Sequence, residues 1–337
     1  MRVIKVKDKI KLDDSKAKKF MELYSLEYYS FKPISVGIEN TSVIVTTDKG
    51  NFVLRIYRRN NKSLIELRNE LEFMFFLNKS GMPVPKIIRN KNNELLSRKK
   101  EHNNTWNYIL MEFVEGEHLK FGQTNFIPAL AGYQAEMHKV AQEFRKKRDE
   151  RFYTLDDELK NFITQFKKSN TFLAKNIRSL EIAEITKEII KELKENFNQL
   201  NKLPSGLVHL DYHGTNILVN RKKVVGIIDF DDLSYQPFIV DLAYSLLWWT
   251  YKNRTKNIQI ILNQYLYAYQ QGRKLSAEEL DKIVLFMRLR NIAIRFNHVY
   301  LKNITSREWS EILDFDKDLK NITWDFWLTN QLPPKKN

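Results

Sequence analysis

GLVHLDYHGTNILVNRKKVVGIIDFDDLSYQPFIVDL, residues 206–242, reads as two short strands at whose end carboxylates collect. Asn216-Ile217-Leu218-Val219 is an apolar run, Asn220-Arg221-Lys222-Lys223 is a polar turn, and Val224 to Ile228 is a second run rich in β-branched residues. That pattern predicts a hairpin. Folding it back brings Asn216, at the start of the first strand, close to Asp229, at the end of the second. Asp211 stands five residues ahead of Asn216, in the loop that leads in. A carboxylate able to act as a base, an amide oxygen and a second carboxylate are thereby expected at one end of the hairpin. Oxygen ligands of this kind suit Mg²⁺, which takes one or two from protein and completes its shell with phosphate and water.

The spacing carries more than the residue types. His209-Leu210-Asp211-Tyr212-His213-Gly214-Thr215-Asn216 fits H-x-D-x-x-x-x-N, the spacing of a kinase catalytic loop, and Asp229-Phe230 stands where kinases place the start of their metal-binding motif. Two features depart from protein kinases: Asp231 replaces the third-position glycine, and no A-P-E segment follows. With Asp241-Leu242-Ala243 downstream, the ordered match over about thirty-five residues resembles the aminoglycoside phosphotransferase and choline kinase-like family. Further segments fit in order: GIENT, VLRIY, NELEFMFFLNKSGMPVP and ILMEFVEGE. Within that family, GIENTSVIVTTDKGNFVLRIY looks most like the small lobe of the bacterial homoserine kinases of this fold.

The resemblance implies an α+β, protein-kinase-like fold in two lobes. An N-terminal nucleotide-binding lobe (1–111) would hold a small antiparallel sheet, and a larger, mainly helical C-terminal lobe (112–337) would carry catalysis and the acceptor. It also implies transfer of the γ-phosphate of ATP to a hydroxyl, with Mg²⁺; GTP in place of ATP stays open. Asp211 would be the catalytic base, Asn216 and Asp229 the metal ligands, and His209 and Asp241 the structural support of the loop. Residues 37–41, with Asn40 and Thr41, would cover the nucleotide phosphates. Arg55 stands where kinases use lysine, and Glu70 is placed to hold it. Arg is larger and forks its donors, so it is not equivalent to lysine. Backbone groups near Glu112 and Val114 would meet the adenine, with Met111 behind it. Read without the motifs, Arg55 is a surface arginine on an edge strand, Glu70 a solvated helix position, and 107–114 a strand and a turn.

The 337 residues suffice for one large domain or two lobes, and 43% hydrophobic residues indicate a globular chain. The absence of cysteine excludes disulfides, thiolate metal sites and a cysteine nucleophile. MRVIKVKDKIKLDD lacks the apolar core of a signal peptide, and no apolar run approaches a membrane span, so a soluble cytoplasmic protein is expected. The formal charge of +15 admits an anionic partner. The lysines are scattered, though, in a chain rich in Lys, Asn and Ile, so a nucleic-acid surface is not expected and ATP needs only a local patch.

Outward from the central stretch, apolar spacing predicts a helix over 14–29, strands at 31–38, 42–47 and 51–57, and a helix over 66–79. A basic, Asn-rich turn (91–104) and a strand (107–114) follow. From 126 the chain reads as helical, with His138 a structural histidine, a charged helical excursion over 144–178 and an amphipathic stripe from Ile182 to Leu200. A buried helix over 242–249 and helices over 258–271 and 277–301 complete it.

Three rival readings use the same residues. His209, Asp211 and His213 alternate, so on a strand they would face one way and chelate Zn²⁺ or Mn²⁺ for hydrolysis; Gly214 and the loop length speak against a strand. A catalytically silent kinase-like binding protein would be expected to lack Asp211 or Asp229. A protein Ser/Thr kinase would need a segment to dock a peptide, whereas only nine residues separate Asp231 from Asp241. The acceptor is therefore expected to be a small hydroxylated metabolite or antibiotic of the homoserine, choline, sugar or aminoglycoside class. Asp231 and Asp232 would favour a cationic group, and Trp248 and Trp249 read as core before they read as a cation–π face.

Overall fold

The computed structural model describes residues 10–34, 40–58, 62–101, 104–120, 122–144, 152–173, 177–252, 258–296 and 305–324. Residues 35–39, which hold most of the expected phosphate-covering loop, lie outside these, as does the tail after 324. By internal contacts the chain divides into two compact units. The first takes the described residues up to His118 together with Ile217–Phe230; the second takes those within Leu119–Arg145, Phe152–Asn216 and from Asp231 onward.

The first unit opens with α1 (Asp14–Met21), whose N-cap Asp13 accepts from the Lys16 amide at 2.8 Å. The apolar spacing that suggested a helix as far as residue 29 continues through Tyr24 and Tyr28, yet the helix stops at Met21 and β1 (Tyr28–Pro33) follows. Tertiary hydrogen bonds claim the intervening backbone. Lys91 N–H donates to the Leu23 carbonyl (2.8 Å), Lys91 Nζ to the Glu22 carbonyl (2.9 Å), and Glu27 exchanges bonds with Asp48. The Tyr24 and Phe20 side chains still enter the core, Phe20 edge-on to Tyr108 at 4.9 Å.

Strands β2 (Thr41–Thr47) and β3 (Gly50–Ile56) pair antiparallel across a turn that Gly50 closes at φ 102°. Helix α2 (Leu64–Lys79) begins with a reciprocal capping box between Ser63 and Glu66. Then come β4 (Ile87–Ile88), β5 (Ser97–Glu101), β6 (Asn104–Glu112) and β7 (Glu117–His118). The sheet order is β1-β2-β3-β6-β4, with β5 also on β6. Strand β5 lies inside the segment read as a turn. Its sequence, SRKKE, has no apolar alternation, and it is extended because β6 offers a partner, with Ser97 opposite Tyr108 and Glu101 opposite Asn104. Propensity yields to pairing here. Val43, Val45, Leu54, Ile56, Trp106 and Leu110 fill the core beneath the sheet.

The hairpin of β9 (Ile217–Asn220) and β10 (Lys223–Ile227) belongs to this unit by contact. It turns through Arg221 at φ 55°, and β7 adds a third strand, Glu117 facing Val219. Gly116 precedes β7 where a Cβ would stand 3.1 Å from the Val219 carbonyl and 2.9 Å from Val225 Cγ2, so the close approach of this loop to β9 and β10 requires glycine.

The second unit contains α3 (Ile127–Glu143), α4 (Leu155–Leu173), α5 (Ile177–Glu195), α6 (Phe197–Leu200), α7 (Phe238–Lys252), α8 (Ile258–Gly272), α9 (Ala277–Ala293) and α10 (Ser306–Lys320). Strands β8 (Ser205–Val208) and β11 (Ser234–Pro237) pair antiparallel among them. Helix α3 packs on α8, and α7 on α9. Arg288 of α9, buried, reaches Asp316 of α10 at 2.8 Å and Glu188 of α5 at 3.2 Å, tying three helices together. The helix expected over 277–301 ends at Ala293 and passes into a tight turn, Ile294–Phe296; residues 297–301 lie outside the described residues. Among the described residues no helix is long and apolar enough to cross a membrane. An antiparallel sheet region followed by a helical region is the kinase-like architecture that the motifs implied.

Candidate active site

The loop between β8 and β9 carries His209, Asp211 and Asn216. Leu210 within it adopts φ 57°, a left-handed conformation that a branched side chain rarely takes. Its surroundings hold it there: the Leu210 amide donates to Asp241 Oδ1 at 2.5 Å. Asp241, at the start of α7, is fully buried and accepts at Oδ2 from Gln134 Nε2 (2.6 Å) and His138 Nε2 (2.9 Å). Burial alone would raise its carboxyl, but the His138 and Gln134 hydrogen bonds hold it below the usual carboxylate range. Burial pushes His138 down. As the neutral ring it donates through Nε2 and meets the Tyr269 hydroxyl at Nδ1, 2.6 Å away. Tyr269 in turn takes Arg273, which is paired with Glu279 at 2.6 Å. Asp241 thus joins the loop backbone to the α3–α8 core.

Asp211 is half-buried and its carboxylate is well supplied with donors. Asn216 Nδ2 gives one bond to Asp211 Oδ2 (2.9 Å) and another to the Asp211 carbonyl (3.0 Å). At Oδ1 stand His213 Nε2 (3.2 Å) and Arg290 Nη2 (3.4 Å). Burial opposes ionisation, but the His213 hydrogen bond and charge, then Arg290, pull the group below the usual carboxylate range. Asp211 is therefore an ionised acceptor at neutral pH, the form a base requires.

His209 is completely buried and takes the Asp211 amide on Nδ1 at 3.3 Å, whereas His213 is 24% exposed. The left-handed Leu210 breaks the alternation that a three-ligand zinc site on a strand would need. His213 instead stacks on Trp248 (centroids 5.9 Å, planes 8° apart), while Trp249 is core. Gly214 permits that stack: a Cβ there would stand 2.9 Å from Trp248 Cζ2 and 3.1 Å from the Leu119 carbonyl. Gly214→Ala is expected to cost about 1–3 kcal/mol through overpacking, read as a lowered melting temperature, with reduced turnover as His213 is displaced beside Asp211.

In the first unit, Arg55 of β3 donates from Nη2 to Asp229 Oδ1 at 2.9 Å; its side chain is 14% exposed and that of Asp229 41%. Asp229 has φ 68°, and it follows β10, whose Ile227 is held by the Pro83 carbonyl at 2.6 Å. The register pairs Ile217 with Ile227, so the strand end that follows Asn216 and the one that leads to Asp229 lie side by side. Phe230 packs edge-on against Phe73 of α2 at 6.5 Å. Glu70 of α2 is buried and accepts from the Tyr57 hydroxyl (2.8 Å) and from Lys62. Asn40 Oδ1 takes the Arg58 amide at 2.9 Å, and the Thr41 hydroxyl donates to the Ile10 carbonyl at 3.2 Å. Met111 is buried near the end of β6, Glu112 ends that strand with its amide on the Lys86 carbonyl (2.9 Å), and Val114 follows half-buried.

Three residues that bear on this chemistry escaped the sequence reading. Lys62 lies in the connection between β3 and α2, where no periodicity ranks one lysine above another. Glu158 of α4 and Arg290 of α9 lie on charged or mixed helix faces, and only the tertiary fold gives them partners. Asp231 and Asp232 occupy a tight turn, Phe230–Asp232, with Asp232 exposed.

Asn216 and Asp229 each offer an oxygen of the kind Mg²⁺ takes. The Asn216 amide nitrogen is committed to Asp211, which leaves its oxygen, unbonded among the described residues, as the atom able to meet a cation. Asp229 adds a partly exposed carboxylate.

Comparison with known proteins identifies the fold and the family. The sequence profile of the phosphotransferase enzyme family, APH, matches residues 30–275. A homoserine kinase of Bartonella tribocorum is 25% identical over 317 residues, covering 92% of this chain and 91% of its own. Among solved structures, an amicoumacin kinase in complex with AMP-PNP, Ca²⁺ and Ami superposes with a TM-score of 0.71 at 20% identity, covering 91% of this chain and 92% of that one. A microcompartment-associated aminopropanol kinase gives 0.65 at 14% identity, over 94% of this chain and 98% of its own. Because that profile spans most of its length, the chain belongs to the phosphotransferase enzyme family.

Proposed function

We propose that this small-molecule kinase moves the γ-phosphate of ATP to the hydroxyl of a short amino alcohol, with homoserine the first candidate. The observation that carries the reading is the loop of Asp211: an ionised carboxylate held by the Asn216 amide on a backbone anchored to buried Asp241. Similarity to homoserine kinases over nearly the whole length supports the choice of acceptor.

In this reading residues 1–111 bind nucleotide, and 112–337 carry catalysis and the acceptor. Asp211 takes the proton of the acceptor hydroxyl as its oxygen attacks the γ-phosphorus. The bond from that phosphorus to the bridging oxygen breaks, and ADP leaves. Asn216 and Asp229 would hold Mg²⁺, which when bound neutralises charge on the β- and γ-phosphates. Arg55 keeps Asp229 in place and offers its fork to phosphate oxygens. Glu70 holds Lys62 as a second nearby cation. Asn40 and Thr41 flank the phosphates, and backbone at Glu112 and Val114, with Met111 behind, meets the base. His209 and Asp241 keep the loop in shape.

A coupled ADP-release screen over homoserine, other amino alcohols, choline, sugars and aminoglycosides tests this. Release with homoserine well above the ATPase background is expected. Release with choline or an aminoglycoside but not with short amino alcohols would replace the acceptor assignment.

A further inference from the structure

Arg290 stands beside the proposed base on α9, and proton abstraction does not account for it. A guanidinium at a base lowers its basicity, which an acceptor of hydroxyl protons does not need. The contact is also loose: Nη2 lies 3.4 Å from Asp211 Oδ1, and among the described residues this is the hydrogen bond the group makes. Its plane is held instead by Tyr244, whose buried ring lies 4.7 Å from the guanidinium carbon. Tyr244 donates its hydroxyl to Glu158, which also takes Gln236 Nε2 at 3.2 Å, so the ring that supports Arg290 is itself fixed. The Arg290 side chain remains 28% exposed, with most of its five donors uncommitted.

We propose that Arg290 binds a carboxylate of the acceptor, so that the site selects a short hydroxylated amino acid over a purely cationic alcohol. This rests on the phosphotransferase reading above. The fork of an arginine matches a carboxylate through two parallel hydrogen bonds. Over four carbons, a terminal hydroxyl and a carboxylate stand about 5 Å apart when extended. Such a molecule can place its hydroxyl at Asp211 and its carboxylate on the far side of Arg290, two groups 3.4 Å apart. Asp232, exposed and close enough for its charge to act on Arg290, supplies the counter-charge for the ammonium. Choline or a polyamine antibiotic would instead meet a fixed positive charge beside the base, which selects against it.

The test compares kcat/KM for homoserine and for 3-aminopropan-1-ol, which is homoserine without its carboxylate, in the wild type, Arg290→Met and Arg290→Lys. The wild type should prefer homoserine. Arg290→Met should reduce that preference by at least ~10-fold, the scale of a hydrogen bond between charged groups, mostly through a raised KM for homoserine. Arg290→Lys should keep part of it, as a point charge without the fork. If Arg290→Met does not fold, the fall in preference in Arg290→Lys, with a wild-type melting temperature, carries the test. Equal losses on both acceptors would leave the ratio unchanged and overturn the assignment, since a residue that only positions Asp211 or touches nucleotide behaves that way. In that case the phosphotransferase reading survives. ADP release with neither acceptor in the wild type would overturn both.

Discussion

Asp211→Asn is expected to lower turnover by at least ~100-fold, the lower end for loss of a general base, while nucleotide affinity stays almost unchanged. The substitution keeps the shape and the acceptor oxygen but removes the charge and the basic lone pair. The pH profile of the wild type supplies the companion result. A carboxyl held below its usual range remains ionised as the pH falls and loses its basic form only below that range. So kcat/KM should show no acid limb from Asp211 between about pH 5 and 8. Steady-state kinetics on the true acceptor, with nucleotide affinity measured separately, checks both. Unchanged turnover in Asp211→Asn would remove Asp211 from the mechanism.

Asp229→Ala should abolish the Mg²⁺-dependent part of nucleotide stabilisation. A ligand that binds only the folded state stabilises it, by about 2.7 kcal/mol at a hundredfold excess over its Kd, and so raises the melting temperature. ATP with Mg²⁺ should therefore shift the wild type far more than ATP with EDTA. In Asp229→Ala the two shifts should coincide. Loss of the Arg55–Asp229 pair should change the melting temperature without nucleotide only slightly, because Asp229 is 41% exposed and such pairs are worth little. A large shift with Zn²⁺ and no nucleotide would favour the hydrolase reading instead.

The candidate catalytic stretch was legible because the motif and its hairpin fall within one continuous segment. Asp211 and Asn216 lead into, and Asp229 follows, a hairpin whose apolar runs and polar turn are plain in the residues. Asp241 was legible through the company of Leu242 and Ala243 on an apolar helix. Elsewhere the signal failed where tertiary partners decide. Helix α1 stops at Met21, short of the helix expected to residue 29, because Lys91 and Asp48 take backbone groups of Glu22, Leu23 and Glu27. Strand β5 is polar throughout and exists through its pairing with β6. Arg55 was identified on β3, but that its Nη2 lies on Asp229, 174 residues away, has no local signature. The same holds for Lys62 on Glu70 and for Arg290 on Asp211, each a cation whose partner only the folded chain supplies.

Phosphorus NMR of a reaction with ATP, Mg²⁺ and homoserine tests the central claim most directly. The account predicts a new phosphate monoester on homoserine that grows as ATP is converted to ADP, and none with Asp211→Asn. Phosphate transfer to protein serines with no small acceptor modified would contradict it.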